Sequence, residues 1–197
     1  MNNVKSYPGL KTERLNLRGF RLSDATRISR LAGEFEIADT TLRIPHPYQK
    51  KMAEKWVSEH RRKYEEGKSI HWAIILNENK KLIGSISLMH INRKHLHAEM
   101  GYWIGKEYWN HGYASEAGHA VIRYGFEDLG LNRIHAHCFS RNQASARVLM
   151  KMGMSHEGTL RQHIRKWNKF EDIEMFAIVK SEVNFDEDDK TNRLFPK

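Results

Sequence analysis

Trp109-Asn110-His111-Gly112-Tyr113-Ala114-Ser115-Glu116-Ala117 is the stretch of this 197-residue chain whose reading decides the fold. It joins an expected strand at 100–104 to an expected helix at 116–129 through a compact turn on Gly112. At a helix start the first backbone N–H groups lack intrahelical acceptors and sit at the positive end of the macrodipole. Such a turn is shaped to hold a phosphate or pyrophosphate. Gly112 and Ala114 let the backbone approach the anion closely. A glycine before a helix is also the ordinary way to end a connection, so the turn alone decides nothing.

The residues around it add weight. Upstream stands Ala98-Glu99-Met100-Gly101-Tyr102-Trp103-Ile104. Downstream stand Leu131-Asn132-Arg133-Ile134, then Asn142-Gln143-Ala144-Ser145-Ala146-Arg147-Val148-Leu149, then Met152-Gly153-Met154-Ser155-His156-Glu157-Gly158. In this order and spacing the chain resembles the GNAT N-acetyltransferases over about residues 10–180, and within them the RimJ/RimL branch that acetylates N-terminal amines of ribosomal proteins. The resemblance implies acetyl-CoA as cosubstrate, held by Tyr102, Trp103, Ile104, Trp109, Asn110, His111, Gly112, Tyr113, Ala114 and Ser115, with Asn142 on the pantetheine arm. Trp109 stands where many members carry Arg or Gln. The phosphate contacts would come from backbone N–H groups, which side-chain identity hardly affects.

The chain's length suits one buried core, so a single domain over 1–197 is expected, with a core at about 10–180 and a polar tail at 184–197. Hydrophobic residues at 40% and charged residues at 29% are those of a globular chain. No apolar run approaches the ~20 residues of a membrane span. The opening Met1-Asn2-Asn3-Val4-Lys5-Ser6 lacks the apolar core of a secretion signal, which points to the cytoplasm. The lone cysteine, Cys138, excludes an intrachain disulfide. It reads as a small strand side chain, with an acyl-carrying nucleophile as the alternative. The net charge of +9 favours an anionic partner, yet the basic residues are spread among 24 acidic ones. CoA, with its phosphates, would draw on that potential, and direct nucleic-acid binding is not expected.

Along the chain, 14–18 alternates as a first strand, and Ser23 is placed to cap a helix over 24–32. Residues 40–48, with Pro45 and Pro47, read as a loop, and 49–66 as one helix ended by Gly67. A hairpin (70–76 and 82–91) and a strand at 98–104 follow. Next come the helix, a strand at 133–139, a helix at 143–152, a strand at 156–164, a turn at 167–169 and a strand at 172–179. The tail, acidic over 186–189, is expected to be loosely held. The pattern predicts an α/β (α+β) chain with a mixed, mostly antiparallel sheet and helices on both faces. The GNAT resemblance implies that this sheet is splayed between its fourth and fifth strands, which are 98–104 and 133–139 in this reading.

Acetyl transfer to an amine needs a free lone pair, and an α-amine of pKa ~7.7–8.0 needs only a modest base. Glu99, on the strand face opposite Met100 and Tyr102, is the candidate, with an exposed or ion-paired carboxylate as the alternative. A backbone N–H within 100–103 could serve the oxyanion. By the family pattern Asn-x-x-Ser, Ser145 is the candidate proton donor to the leaving sulfur. Asn142 also suits a helix N-cap without any catalysis. His95-x-His97 and His135-x-His137 would each put two imidazoles on one strand face, but no further ligands stand at a recognisable spacing, so no metal is expected. Neither a Walker loop nor a Gly-x-Gly-x-x-Gly fingerprint is present. The expected acceptor is a protein N-terminal α-amine, an acidic ribosomal protein fitting the sign of the charge, and the reading allows a homodimer. A small amine or amino acid is the second reading, and an RNA- or ribosome-binding module on a silent GNAT core the third.

Overall fold

Leu15 and Leu17 alternate with Asn16 and Arg18, and this period of two builds a strand with both leucines fully buried. It is β2 (Leu15–Gly19) of the computed structural model, which describes residues 6–183. A short β1 (Leu10–Lys11), not anticipated from the sequence, pairs beside it. The run that forms β3 (Ile70–Leu76), apolar but for His71, is buried throughout, as befits a strand covered on both faces. It turns back into β4 (Leu82–Asn92), followed by β5 (His97–Ile104). Beyond the first long helix lie β6 (Arg133–Phe139), β7 (Ser155–Lys166) and β8 (Lys169–Val179). Among the described residues eight strands form one sheet in the order β1-β2-β3-β4-β5-β6-β8-β7, with every pair antiparallel except β5 and β6.

Helices cover both faces. On one, α5 (Tyr113–Glu127) sets Val121, Ile122 and Phe126 against Trp72, Ile74 and Leu88, and α6 (Gln143–Lys151) adds Leu149. On the other, α1 (Ala25–Ala32), α2 (Phe35–Thr40) and α3 (Lys50–Ser58) pack Ile28, Leu31, Ile37 and Val57 on Ala73, Ile75 and Trp103. Opposite faces of β3 and β5 therefore serve two cores, the expected consequence of strand pleating.

Several local expectations are corrected. The single helix over 49–66 is two, α3 and α4 (His60–Glu65), broken at Glu59. Ser58 Oγ donates back to the Lys55 carbonyl at 2.8 Å, a bond that competes with the helical ladder. Ser23 caps nothing; a 3₁₀ turn at Leu22–Asp24 precedes α1, and the Asp24 carboxylate accepts from the Arg21 amide. Helix α2 was not anticipated, because six residues with two buried side chains make too short a period to read. The tail and its acidic run lie outside the described residues. Among the described residues no helix is long and apolar enough to cross a membrane.

The parallel pair matters most. β5 and β6 are in register only at His97 with Arg133, Ala98 with Ile134 and Glu99 with His135, and then diverge. The splay lies between the fifth and sixth strands rather than the fourth and fifth, since β1 adds one to the count. Past Glu99, the side of β5 that faces β6 has no strand partner among the described residues, while its other side stays paired to β4 as far as Ile104.

Candidate active site

The helix after the glycine turn starts at Tyr113, three residues earlier than expected, so Tyr113, Ala114 and Ser115 form its first turn. Gly112 is the N-cap, at φ +79 and ψ 1, a left-handed conformation that glycine adopts without steric cost. Asn110, at φ +63, is the second left-handed residue of the bend. Trp109 Nε1 donates to the Ile104 carbonyl at 2.6 Å, His111 Nδ1 donates to the Trp109 carbonyl at 2.7 Å, and the His111 and Tyr113 rings stack at 5.5 Å. The amide of Glu116 is taken by the Gly112 carbonyl. Among the described residues, no group of the chain accepts from the amides of Tyr113, Ala114 and Ser115, which leaves three donors at the positive end of a 15-residue helix.

These amides open onto a cleft of about 930 Å³ that follows the gap between β5 and β6. Tyr102, Trp103, Ile104 and all of the expected loop residues but His111 line it, together with Asn142 and Ser145. Asn142 Oδ1 accepts from the Ser145 amide at 3.0 Å, so the N-cap role is realised. Ser145 Oγ shares a hydrogen bond of 2.8 Å with the Tyr102 hydroxyl, and burial raises the phenol well above its ordinary pKa. Beside them burial pushes the Cys138 thiol up to about 11, so it is a protonated strand side chain and not an activated nucleophile.

Glu99 faces the far part of the same cleft, its side chain 13% exposed. Arg43 Nη2 and His137 Nδ1 each lie 3.9 Å from its Oε1, and His90 Nε2 lies 3.7 Å from its Oε2. All three spans exceed hydrogen-bond length, so the carboxylate has cationic or imidazole neighbours on three sides and is bound tightly to none. Burial holds His137 below the usual imidazole pKa, against the pull of Glu99, so the ring is neutral at pH 7. The sequence singles out Glu99 but gives no sign of its neighbour Arg43, which sits in an irregular loop, and offers His137 only as half of a metal pair. The alternation in 133–139, which puts His135 and His137 on one face, was the signal for the latter. His95 lies in the turn before β5, not on a strand. Among the described residues no group of three or more His, Cys, Asp and Glu is arranged to hold a metal ion.

The Glu99 end of the cleft has a roof. Lys166, buried at the end of β7, donates from Nζ to the carbonyls of Thr41 at 2.9 Å and Ile44 at 3.1 Å. Trp167 Nε1 donates to Asp39 Oδ1 at 3.0 Å, and Arg141 Nη1 reaches Asp39 Oδ2 at 2.7 Å. The β7–β8 hairpin thus clamps α2 and the loop that carries Arg43. The whole is a through-sheet passage with open helix amides at one end, a hydroxyl pair midway and a lone carboxylate at the other. Such a passage can hold a phosphorylated carrier and deprotonate a small nucleophile that meets it from the opposite side.

A family profile described as "Acetyltransferase (GNAT) domain" matches residues 14–155. The chain is 36% identical over 174 residues to the uncharacterized N-acetyltransferase YoaA of Bacillus subtilis (strain 168), covering 88% of this chain and 98% of that one. Among solved structures, an acetyltransferase (GNAT family) from Bacillus anthracis is 27% identical with a TM-score of 0.79, over 88% of this chain and 99% of its own. RimL, a ribosomal α-N-protein acetyltransferase in complex with coenzyme A, shares the fold at a TM-score of 0.81 and 18% identity, over 87% of this chain and 98% of its own.

Proposed function

The chain belongs to the GNAT acetyltransferase family and transfers acetyl from acetyl-CoA to an amine, and on that premise we propose that its acceptor is the N-terminal α-amine of a protein, foremost an acidic ribosomal protein. The observation that carries this reading is the continuity of the cleft from the amides of Tyr113–Ser115 to Glu99. Two substrates that enter from opposite faces of the sheet meet at the splay without an enzyme-bound intermediate.

In this reading the amides of residues 112–115 hold the pyrophosphate, and the unpaired edge of β5 and Asn142 hold the pantetheine arm. Glu99 takes the proton of the acceptor ammonium. The freed nitrogen then attacks the thioester carbonyl carbon, whose oxygen is met by a main-chain N–H of residues 100–103. As the carbon–sulfur bond breaks, the sulfur leaves with the electron pair and takes a proton from Ser145, and the second proton that the nitrogen sheds as the amide forms restores the Ser145 hydroxyl, which the Tyr102 hydroxyl backs. Direct transfer needs no covalent protein intermediate, in keeping with the protonated Cys138.

The charge supports an acidic protein over a polycation. Among the described residues that line the cleft, Glu99 is the one carboxylate, against Arg43, Lys63, Lys68, Arg147 and Lys151. A second ammonium on the acceptor would meet repulsion, whereas an acidic protein would be steered in. This acceptor also places the reaction in the cytoplasm. A small amine or amino acid remains the second reading, because the cofactor half of the cleft would serve either. An acceptor screen that follows thiol release from acetyl-CoA tests the choice, with Ser- and Ala-starting peptides, acidic ribosomal proteins, polyamines and free amino acids. Acetyl found on the α-nitrogen of peptides and proteins supports the proposal; turnover confined to polyamines overturns it.

A further inference from the structure

We propose that Arg43 forms an anion subsite beside the acceptor nitrogen, so that the preferred acceptor carries a carboxylate on its first or second residue. The inference rests on the reading of Glu99 as the group that receives the amine.

Three observations carry it. First, the other cations of this end are already committed, Lys63 Nζ to Glu59 at 2.6 Å and Lys68 Nζ to Glu66 at 2.8 Å. Arg43 is not: its guanidinium reaches Met89 Sδ at 3.6 Å and His90 Nε2 at 3.3 Å, and its nearest carboxylate among the described residues is Glu99 at 3.9 Å. A planar fork of donors that faces a cleft without a carboxylate at bonding distance is suited to an incoming one. Second, the loop is held. Lys166 binds the carbonyls of Thr41 and Ile44, on either side of Arg43, so the guanidinium is presented by a braced segment. Third, the span is short. With Nη2 only 3.9 Å from Glu99 Oε1, one molecule touches both groups only if its ammonium and its anion are close neighbours. An N-terminal residue with its own side-chain carboxylate, or the side chain of the residue after it, meets that condition. A polyamine, which carries no anion, does not.

The test measures kcat/KM for peptides that differ only in their first two residues, Asp-Ala, Ser-Glu, Ser-Ala and Ser-Lys, together with free aspartate and alanine. Wild type, Arg43→Ala and Arg43→Glu are compared, with CoA affinity by calorimetry as the check that each variant is folded. Wild type is expected to favour the acidic peptides over Ser-Lys by about tenfold or more, mainly through KM. The ratio should collapse toward one in Arg43→Ala and invert in Arg43→Glu. Peptides acetylated with the same charge ratio in all three proteins would overturn the subsite and leave the α-amine reading standing. Turnover of free aspartate alone, lost in Arg43→Ala, would keep the subsite and remove the protein acceptor. No transfer to any of them would overturn both.

Discussion

Arg14 and Glu116, 102 residues apart, close an ion pair of 2.6 Å between Nε and Oε2, and Arg14 Nη1 reaches on to the His111 carbonyl at 3.0 Å. The buried Glu116 carboxylate also accepts from the Thr12 hydroxyl at 2.5 Å and the Arg14 amide at 2.9 Å. One side chain in the first turns of α5 thus ties the segment before β2 to the glycine turn, and its negative charge sits at the favourable end of the helix.

Removing that tie should both destabilise the protein and loosen the turn. Glu116→Ala strips three donors of their shared acceptor and should cost about 2 kcal/mol in urea unfolding. It should also weaken CoA binding several-fold in calorimetry. A variant as stable as wild type, with unchanged CoA affinity, would show that the turn is held by other means.

The base can be identified by pH. Glu99→Gln is expected to lower kcat about 100-fold and to remove the acidic limb of the rate profile. The stereochemically adjacent alternative is His137, which burial keeps neutral. If Glu99→Gln keeps the limb and His137→Asn loses it, the imidazole and not the carboxylate accepts the proton.

Near the Glu99 end of the cleft, His60 and His71 stack at 4.2 Å, and among the described residues neither ring nitrogen of the buried His60 has a hydrogen-bond partner. Burial lowers His71 to about 4 and His60 to about 2. Both are neutral in the folded state and take up protons on unfolding below about pH 6.5. Their contribution to stability is therefore complete above that value and is lost as pH falls, through about 4 for His71 and further for His60. Each imidazole adds a slope of up to about 1.4 kcal/mol per pH unit. His60→Phe keeps a planar ring without the proton site, so between pH 6.5 and 4.5 its stability in urea unfolding should fall less steeply than that of wild type. Parallel curves would contradict this account of the pair.

The hairpin clamp should act on the acceptor alone. Lys166→Met leaves the carbonyls of Thr41 and Ile44 without their donor, and Asp39→Ala removes the carboxylate that Trp167 and Arg141 share, leaving Arg141 only the Asp39 carbonyl and Glu171. Each is expected to raise the acceptor KM several-fold while CoA affinity by calorimetry stays at the wild-type value. An unchanged KM would mean that the loop keeps its place without the clamp.

Much of this arrangement was legible where the chain has a period. The strand at 133–139 was read to the residue, because His135 and His137 alternate with buried Ala136 and Cys138. The motifs around Gly112 and Asn142 picked out residues that line one cleft, although the helix start lay three residues earlier than its amphipathic pattern suggested. The Glu99 half of the cleft was opaque for a physical reason: Arg43 stands in a loop braced by Lys166, more than 120 residues away, and no local pattern encodes that contact.

The central claim is that the amides following Gly112 hold the cofactor's diphosphate, and Gly112→Val tests it most directly. A β-branched residue is strained at φ +79, so the turn must rearrange, while its nearest neighbour, the Arg14 guanidinium at 3.5 Å, leaves room for the side chain. Titration calorimetry with CoA is expected to show affinity reduced by about 100-fold or more, in a protein whose circular dichroism still reports the native fold. Wild-type affinity in a folded Gly112→Val protein would contradict the assignment.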